Sequence, residues 1–294
     1  MPADDPPAAR SAVTARLRAA GCVYAEDEAD LLISAARSEA ELAALVDRRA
    51  AGQPLEHVLG WAEFCGLRIA VDPAVFVPRR RTEFLVAQAI ELARPGAVVV
   101  DLCCGSGALA AALASAVEGA EVHAADIDPA AVRCARRNLA GLGGQVYQGD
   151  LFGPLPAGLL GRVDILLANV PYVPTGEVGL LPPEARDHEA RVALDGGADG
   201  LEVLRRIKAD PRTSSIPVII LSGSKDSGDI AECRRLGVEN YILKPVDFQS
   251  FSEVSLRLNL QWILLKPAPL PAVKSHPSPI ASSLPSSSAA SVSG

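Results

Sequence analysis

The sequence predicts an α/β chain built on a parallel sheet with helices on both faces. Two observations lead there. Short apolar strands alternate with helical stretches through the middle of the chain. Several of those strands end in an acidic or amide residue beside small-residue turns, as ligand-binding strand ends do. At 294 residues the chain is also long enough for one large domain or two small ones.

The elements follow in order. Residues 9–52 read as short amphipathic helices rich in Ala, Leu and Arg, which sets 1–52 apart as an N-terminal helical region. Residues 53–81 form a linker whose segment QPLEHVLGWAEFCGLRIAVDPAVFVP alternates apolar positions around Gly and Pro, as hairpin strands do. Within 82–207, strands are expected at 97–102, 121–125, 145–148 and 163–168, with helices at 82–93, 107–117 and 129–140. A loop rich in Pro, Gly and Glu spans 170–198, and a helix follows at 199–209. The alternation continues in 208–265: a strand at 216–222, a helix at 226–236, a strand at 240–245 and a helix at 247–262. Residues 266–294 are mostly Pro, Ser and Ala, too poor in apolar groups to offset ordering entropy, and read as a disordered tail.

Hydrophobic residues make up 49%, charged residues 21%, and the net charge is −7. No apolar run reaches the roughly 18 residues of a membrane span. The acidic balance argues against a surface that holds nucleic acid or anionic membrane. The acidic N-terminus lacks the apolar core of a secretion signal, and six Cys without ligand or framework spacing fit a reducing cytoplasm. No metal-binding set is evident; His57, His123 and His188 share no ligand spacing. Composition shifts along the chain. Residues 1–207 hold no Lys, with 19 Arg against 28 Asp and Glu, while all five Lys lie from Lys208 onward. That shift hints at a chimera.

The sharpest local pattern is VVVDLCCGSGALAAAL. A strand ends at Asp101, the turn Cys103-Cys104-Gly105-Ser106-Gly107 follows, and a helix opens with free N–H groups. The next strand ends at Asp126-Ile127, where a carboxylate can accept both ribose hydroxyls of a nucleoside. A third ends at Asp150-Leu151, placed to meet an adenine ring. The fourth ends in Asn169-Val170-Pro171-Tyr172.

Here the chain resembles the Rossmann-type S-adenosylmethionine methyltransferases, whose amino-methylating members carry Asn-Pro-Pro-Tyr at this strand end. QPLEHVLG, FVPRRRTE, DLCCGSGALA, ADIDPAAVRCARRNL, GDLF, NVPY and ALDGGADGLEVLRR, in that order, are similar to the release-factor glutamine N(5)-methyltransferases over about residues 10–206. The resemblance implies S-adenosyl-L-methionine as cofactor and the Gly-Gly-Gln loop of class-1 peptide chain release factors as substrate. It assigns 1–52 to substrate recognition and places Arg79, Thr82 and Glu83 on the substrate side. An amide nitrogen is a poor nucleophile, so methyl transfer needs it held in line with the methyl group, with acceptors for both N–H groups. The Asn169 side chain and the Val170 carbonyl can supply them, and the Tyr172 ring can pack on the amide. Two departures stand out. Val170 replaces the first Pro, although Pro171 still keeps it extended. Cys103 replaces the first Gly of the turn.

After Ile207 the pattern changes. LRRIKADPRTSSIPVIILSGSKDSGDIAECRRLGVENYILKPVDFQSF resembles the last part of a response-regulator receiver domain, a flavodoxin-like fold, over about 199–262. Ser222 matches that family's switch hydroxyl, and Lys244-Pro245 its lysine and proline. The phosphorylated Asp would fall on Val192, and the magnesium-binding acids are missing. Strand 216–222 is expected to pair beside 163–168, so that the receiver-like fragment supplies the last strands. Two alternatives to protein methylation remain open. One is amino-methylation of DNA, against which the charge of residues 1–207 counts. The other is a non-catalytic fusion acting through the receiver fragment.

Overall fold

The computed structural model describes residues 6–209, 214, 218–222, 227–238 and 240–243. The helix expected at 247–262, the tail at 266–294, Lys244 and Pro245 lie outside them.

Four helices come first: α1 (Pro6–Ala19), α2 (Ala25–Ala35), α3 (Glu39–Ala50) and α4 (Leu55–Leu59). Their apolar faces close on a small core of Leu17, Ala25, Ala29, Leu32, Val46 and Val58. Ser38 caps α3, its Oγ accepting the Glu41 N–H at 3.2 Å. Arg49 of α3 makes a two-pronged, buried pair with Glu28 of α2 at 2.6 and 3.0 Å. The same guanidinium donates to Glu184 at 2.6 Å, tying this bundle to a segment far along the chain.

A hairpin of β1 (Trp61–Phe64) and β2 (Leu67–Ala70) follows. Cys65 and Gly66 turn it, both left-handed at φ 50° and 72°, the geometry of a two-residue type I′ turn. Phe64 and Ile69 reach the main core.

The main sheet holds β3 (Val98–Leu102), β4 (Glu121–Asp126), β5 (Gln145–Gln148) and β6 (Ile165–Ala168), all parallel, in the order β5-β4-β3-β6. Every residue of β3 is buried, which explains its unbroken apolar run. Helices α5 (Glu83–Leu92), α6 (Ala108–Ala116) and α7 (Pro129–Leu139) pack around it. Residues Ala108 to Leu113 of α6 are all buried. The small side chains of α6 let it lie close to its neighbours. A Cβ at Gly107 would lie 3.0 Å from the Cβ of Ala135 in α7, and Gly107 sits at φ +75°. Asp128 caps α7 by accepting the Ala130 N–H at 2.9 Å. Asn138 of α7 bonds both polar groups of the Ala70 backbone at 2.9 Å and the Ser106 carbonyl at 2.8 Å, joining hairpin, helix and turn. Chain order reverses at β3, with β4 on one side and β6 on the other. The crevice at its C-terminal end is where such sheets bind ligands.

Past β6 come α8 (Pro183–His188), α9 (Arg191–Leu194), α10 (Glu202–Ala209), β7 (Ile219–Ser222), α11 (Ser227–Arg235) and β8 (Asn240–Leu243). The last described strands do come from the receiver-like segment. The expected pairing of 216–222 beside 163–168 is not found: β7 pairs in parallel with β8, and β6 has β3 as its one neighbour among the described residues. A strand–helix–strand unit carries its own partner, and closing that short loop costs less entropy than matching a foreign edge. No helix among the described residues is long and apolar enough to cross a membrane.

Gly107→Ala should destabilise the protein by about 2–4 kcal/mol, combining left-handed strain with overpacking against Ala135. Urea denaturation checks this, with Gly158→Ala as the neutral comparison because nothing lies within 4 Å of a Cβ there.

Candidate functional site

Three strand ends and one loop meet at the C-terminal edge of the sheet. Asp101, 1% exposed, sits near the end of β3 and accepts the Ala110 N–H of α6 at 3.2 Å. Burial pushes its pKa up to about 7, the Ala110 N–H opposing and the Asp126 charge adding. The turn that follows is left-handed at Cys103, Gly105 and Gly107, with φ of 53°, 54° and 75°. Cys103 thus occupies a conformation that suits Gly and costs other residues about 1–2 kcal/mol. Burial pushes its thiol up to about 12, so it stays protonated and is no nucleophile. Cys104 and Ser106 are buried in the turn.

Asp126 ends β4 and fastens it to that turn. One carboxylate oxygen accepts the Gly105 N–H at 2.8 Å, the other the Asp128 N–H at 2.9 Å. Burial raises its pKa, and those N–H groups hold it back. Beside it Ile127 leaves a large apolar side chain 51% exposed. Asp150, beyond β5, accepts from Arg206 of α10 at 2.5 Å, and Leu151 takes φ 45°.

The loop Asn169-Val170-Pro171-Tyr172 leaves β6 and is gripped from behind by the segment 194–200. Val173 N–H donates to Leu194 O at 3.1 Å, Gly196 N–H to Val173 O at 2.8 Å, and Thr175 N–H to Gly197 O at 2.7 Å. A Cβ at Gly196 would meet Pro171 O at 2.8 Å, and one at Gly200 would meet Tyr172 O at 2.3 Å. These glycines let backbone pack on backbone. Within this tied loop, the Asn169 side chain and the Val170 carbonyl have no hydrogen-bond partner among the described residues.

Residues 79–83 divide by role. Arg79 pairs with the buried Glu189 at 2.5 Å, and the same oxygen accepts the Val77 N–H at 3.2 Å. Burial raises the Glu189 pKa against the pull of Arg79. Arg81 donates to the Tyr172 hydroxyl at 3.0 Å. Thr82 ends a short turn of 3-10 helix, and Glu83 accepts the Cys65 N–H of the hairpin at 3.1 Å. The strand-end acids and the Asn169 loop therefore share one edge of the sheet, while Arg79 and Glu83 bond within the protein. Sequence reasoning missed Arg81 as the member of its triplet that meets the loop, and it missed Glu189 and Arg206. It also missed the gripping glycines, although ALDGGADG displays them. Val192 lies in α9, 47% exposed, in a helical turn and not at a strand end. Among the described residues no His, Cys, Asp and Glu side chains group in a way that could hold a metal ion.

Residues 67–181 match the family described as Methyltransferase small domain, and residues 192–254 the Response regulator receiver domain. The chain is 44% identical over 172 residues to a release factor glutamine methyltransferase of Geobacter sulfurreducens, covering 57% of this chain and 60% of that protein. It is 44% identical over 168 residues to one from Streptomyces coelicolor, covering 56% and 59%. It is 39% identical over 170 residues to a 4-amino-L-phenylalanine/4-methylamino-L-phenylalanine methyltransferase of Streptomyces pristinaespiralis, covering 55% and 58%. The chain spans about 60% of the length of the curated relatives it matches.

Asp101 holds its proton more tightly folded than unfolded, so its contribution to stability is full below about pH 4 and is lost as pH rises toward 7. Asp101→Asn cannot titrate. Its stability relative to wild type should rise between pH 4.5 and 7.5, on the order of 3 kcal/mol in urea denaturation. A constant difference would show that Asp101 is ionised throughout.

Proposed function

We propose that the chain is an S-adenosyl-L-methionine-dependent methyltransferase acting on the N(5) amide of a glutamine in a polypeptide, the Gly-Gly-Gln loop of a peptide chain release factor. The observation that carries this reading is the pair of open acceptors, Asn169 and Val170, on a loop whose neighbouring backbone is tied. A primary amide offers two N–H donors, and these two oxygens offer two acceptors. The names of the relatives from Geobacter sulfurreducens and Streptomyces coelicolor support the same substrate.

The residues at the strand ends fit the cofactor. Asp126, fixed by two backbone N–H groups, keeps lone pairs for the ribose hydroxyls; Ile127 offers an apolar face for adenine; the Cys103–Gly107 turn lets the backbone approach. Asp101, Asp150 and Leu151 complete the lining. When bound, S-adenosyl-L-methionine supplies a methyl group on a sulfonium. The chain's own work is positional. Asn169 and Val170 O hold the amide N–H groups, aim the nitrogen lone pair and stabilise the positive charge that grows on it. Tyr172, steadied by Arg81, packs on the amide plane. The proton leaves after methyl transfer has made the nitrogen acidic, so no strong base is needed.

The relative named for 4-amino-L-phenylalanine favours a second reading, an aromatic amine as acceptor, whose nitrogen lone pair is likewise delocalised. Parallel assays separate the two: mass spectrometry of a Gly-Gly-Gln release factor and of 4-amino-L-phenylalanine, each incubated with cofactor. Methylation of the amine alone would replace the first reading.

S-adenosylhomocysteine should bind in calorimetric titration, and Asp126→Ala should weaken it by about 1–3 kcal/mol. No heat at millimolar ligand would overturn the cofactor assignment. Asn169→Ala should leave that affinity nearly unchanged and lower the methylation rate about 100-fold or more. Gly200→Ala should mimic it, slowing methylation without weakening S-adenosylhomocysteine, because the displaced Tyr172 carbonyl moves the acceptor loop; an unchanged rate would mean the loop adapts.

A further inference from the structure

A separate cavity of about 320 Å³ opens between the N-terminal helices and α8. Its wall includes Arg48 and Gln53 at the end of α3, His57 of α4, Ala74 after the hairpin, and Asp187 and His188 of α8. The charges there do not balance. Arg48 is half-buried and donates to Gln53 Oε1 at 3.0 Å, His57 O at 2.9 Å and Val58 O at 3.4 Å, all neutral acceptors. No carboxylate pairs with it among the described residues. A guanidinium has five N–H donors, so two remain beyond these three bonds. Asp187, the acid in the wall, is held face to face by Arg186 at 2.7 and 2.9 Å, which keeps it ionised and neutralised. His57 donates through Nε2 to Val75 O at 2.8 Å, burial holding its pKa low, and so adds no charge.

The walls are also fixed before any ligand arrives. Arg49, next to Arg48, reaches Glu184 of α8, and the Ala190 N–H bonds Ala74 O at 2.8 Å. The surrounding 1–207 region is acidic, so this cavity is a local exception. Its volume is at the low end for small-molecule pockets and suits one side chain better than a nucleotide. A planar carboxylate matches the guanidinium fork. Segment 174–195 links this cavity to the Asn169 loop, starting beside Tyr172 and returning to grip it.

We propose that the cavity holds an acidic side chain of the polypeptide substrate, anchoring it on the N-terminal helices while its glutamine lies at Asn169. The polypeptide nature of the ligand rests on the function proposed above; the anion chemistry rests on the cavity alone.

The test follows the His57 and His188 ring C–H signals of the full chain by NMR. Glutarate should shift both with millimolar saturation, glutaramide should shift neither, and inorganic phosphate should bind several-fold more weakly. Arg48→Gln should weaken the glutarate response at least tenfold, and Arg48→Lys should retain part of it. Because Arg48 also holds carbonyls of α4, His188→Gln serves as a second variant and should weaken glutarate about two- to fivefold. Silence toward glutarate, or an equal response to glutaramide, overturns the proposal. An equal response to phosphate makes it a small-anion site and overturns the side-chain assignment. With the release factor as substrate, Arg48→Gln should raise KM about tenfold and leave kcat unchanged; an unchanged KM removes the cavity from substrate binding. Absence of methylation in wild type would count against the proposed function, and the glutarate titration would still judge the cavity.

Discussion

Backbone packed against backbone governs the edge of the sheet that carries the Asn169 loop. The carbonyl of Tyr172 occupies the space where a side chain at position 200 would begin. A side chain at position 196 would likewise meet the Pro171 carbonyl, at 2.8 Å. Without those two absences the segment 194–200 could not reach the loop, and the bonds through Val173 and Thr175 would not form. The loop's direction out of β6, and with it the exposure of the Asn169 and Val170 acceptors, follows from that fit. Pro171 contributes by keeping Val170 extended. The position that departs from Asn-Pro-Pro-Tyr therefore has support from behind that does not depend on a first proline.

Two arginines anchor the rest of the same excursion. Arg49, paired with Glu28 beside it, joins Glu184, and Arg79 joins Glu189. Each links residues before the sheet to residues after it. Of these the Arg49–Glu28 pair is buried on both sides, and breaking it strands the remaining charge at a cost of about 3–5 kcal/mol. Glu189 already keeps one buried oxygen without a partner among the described residues. These pairs give a segment with little regular structure a single placement.

Much of this was legible in the chain. The strand–helix rhythm marked β3 to β6, and the Gly66 turn with alternating apolar residues marked the hairpin. Strand ends at Asp101, Asp126 and Asn169 could be read because local patterns announce them. What escaped reading depends on sequence separation. Nothing near Glu189 signals that it meets Arg79, and nothing near Arg206 signals Asp150. Nothing near Glu83 signals that it accepts the Cys65 N–H of the hairpin turn. The pairing of β7 failed for a different reason. Its apolar pattern specifies a buried strand and leaves the neighbour unspecified, and β8 lies closest along the chain.

The grip on the loop has a consequence for how the protein comes into being. Chains are made N-terminus first and fold by units as they emerge. The sheet through β6 is complete in sequence some thirty residues before Gly200 is added. During that interval the loop has Pro171 and the Arg81 bond to Tyr172, and lacks the bonds that segment 194–200 supplies. Closure arrives with the glycines, immediately before α10 carries the chain toward β7 and β8, which pair with each other. The glycines that close the loop thus lie within the stretch, residues 192–254, that matches the receiver family. A splice upstream of Gly196 would leave the loop without its grip.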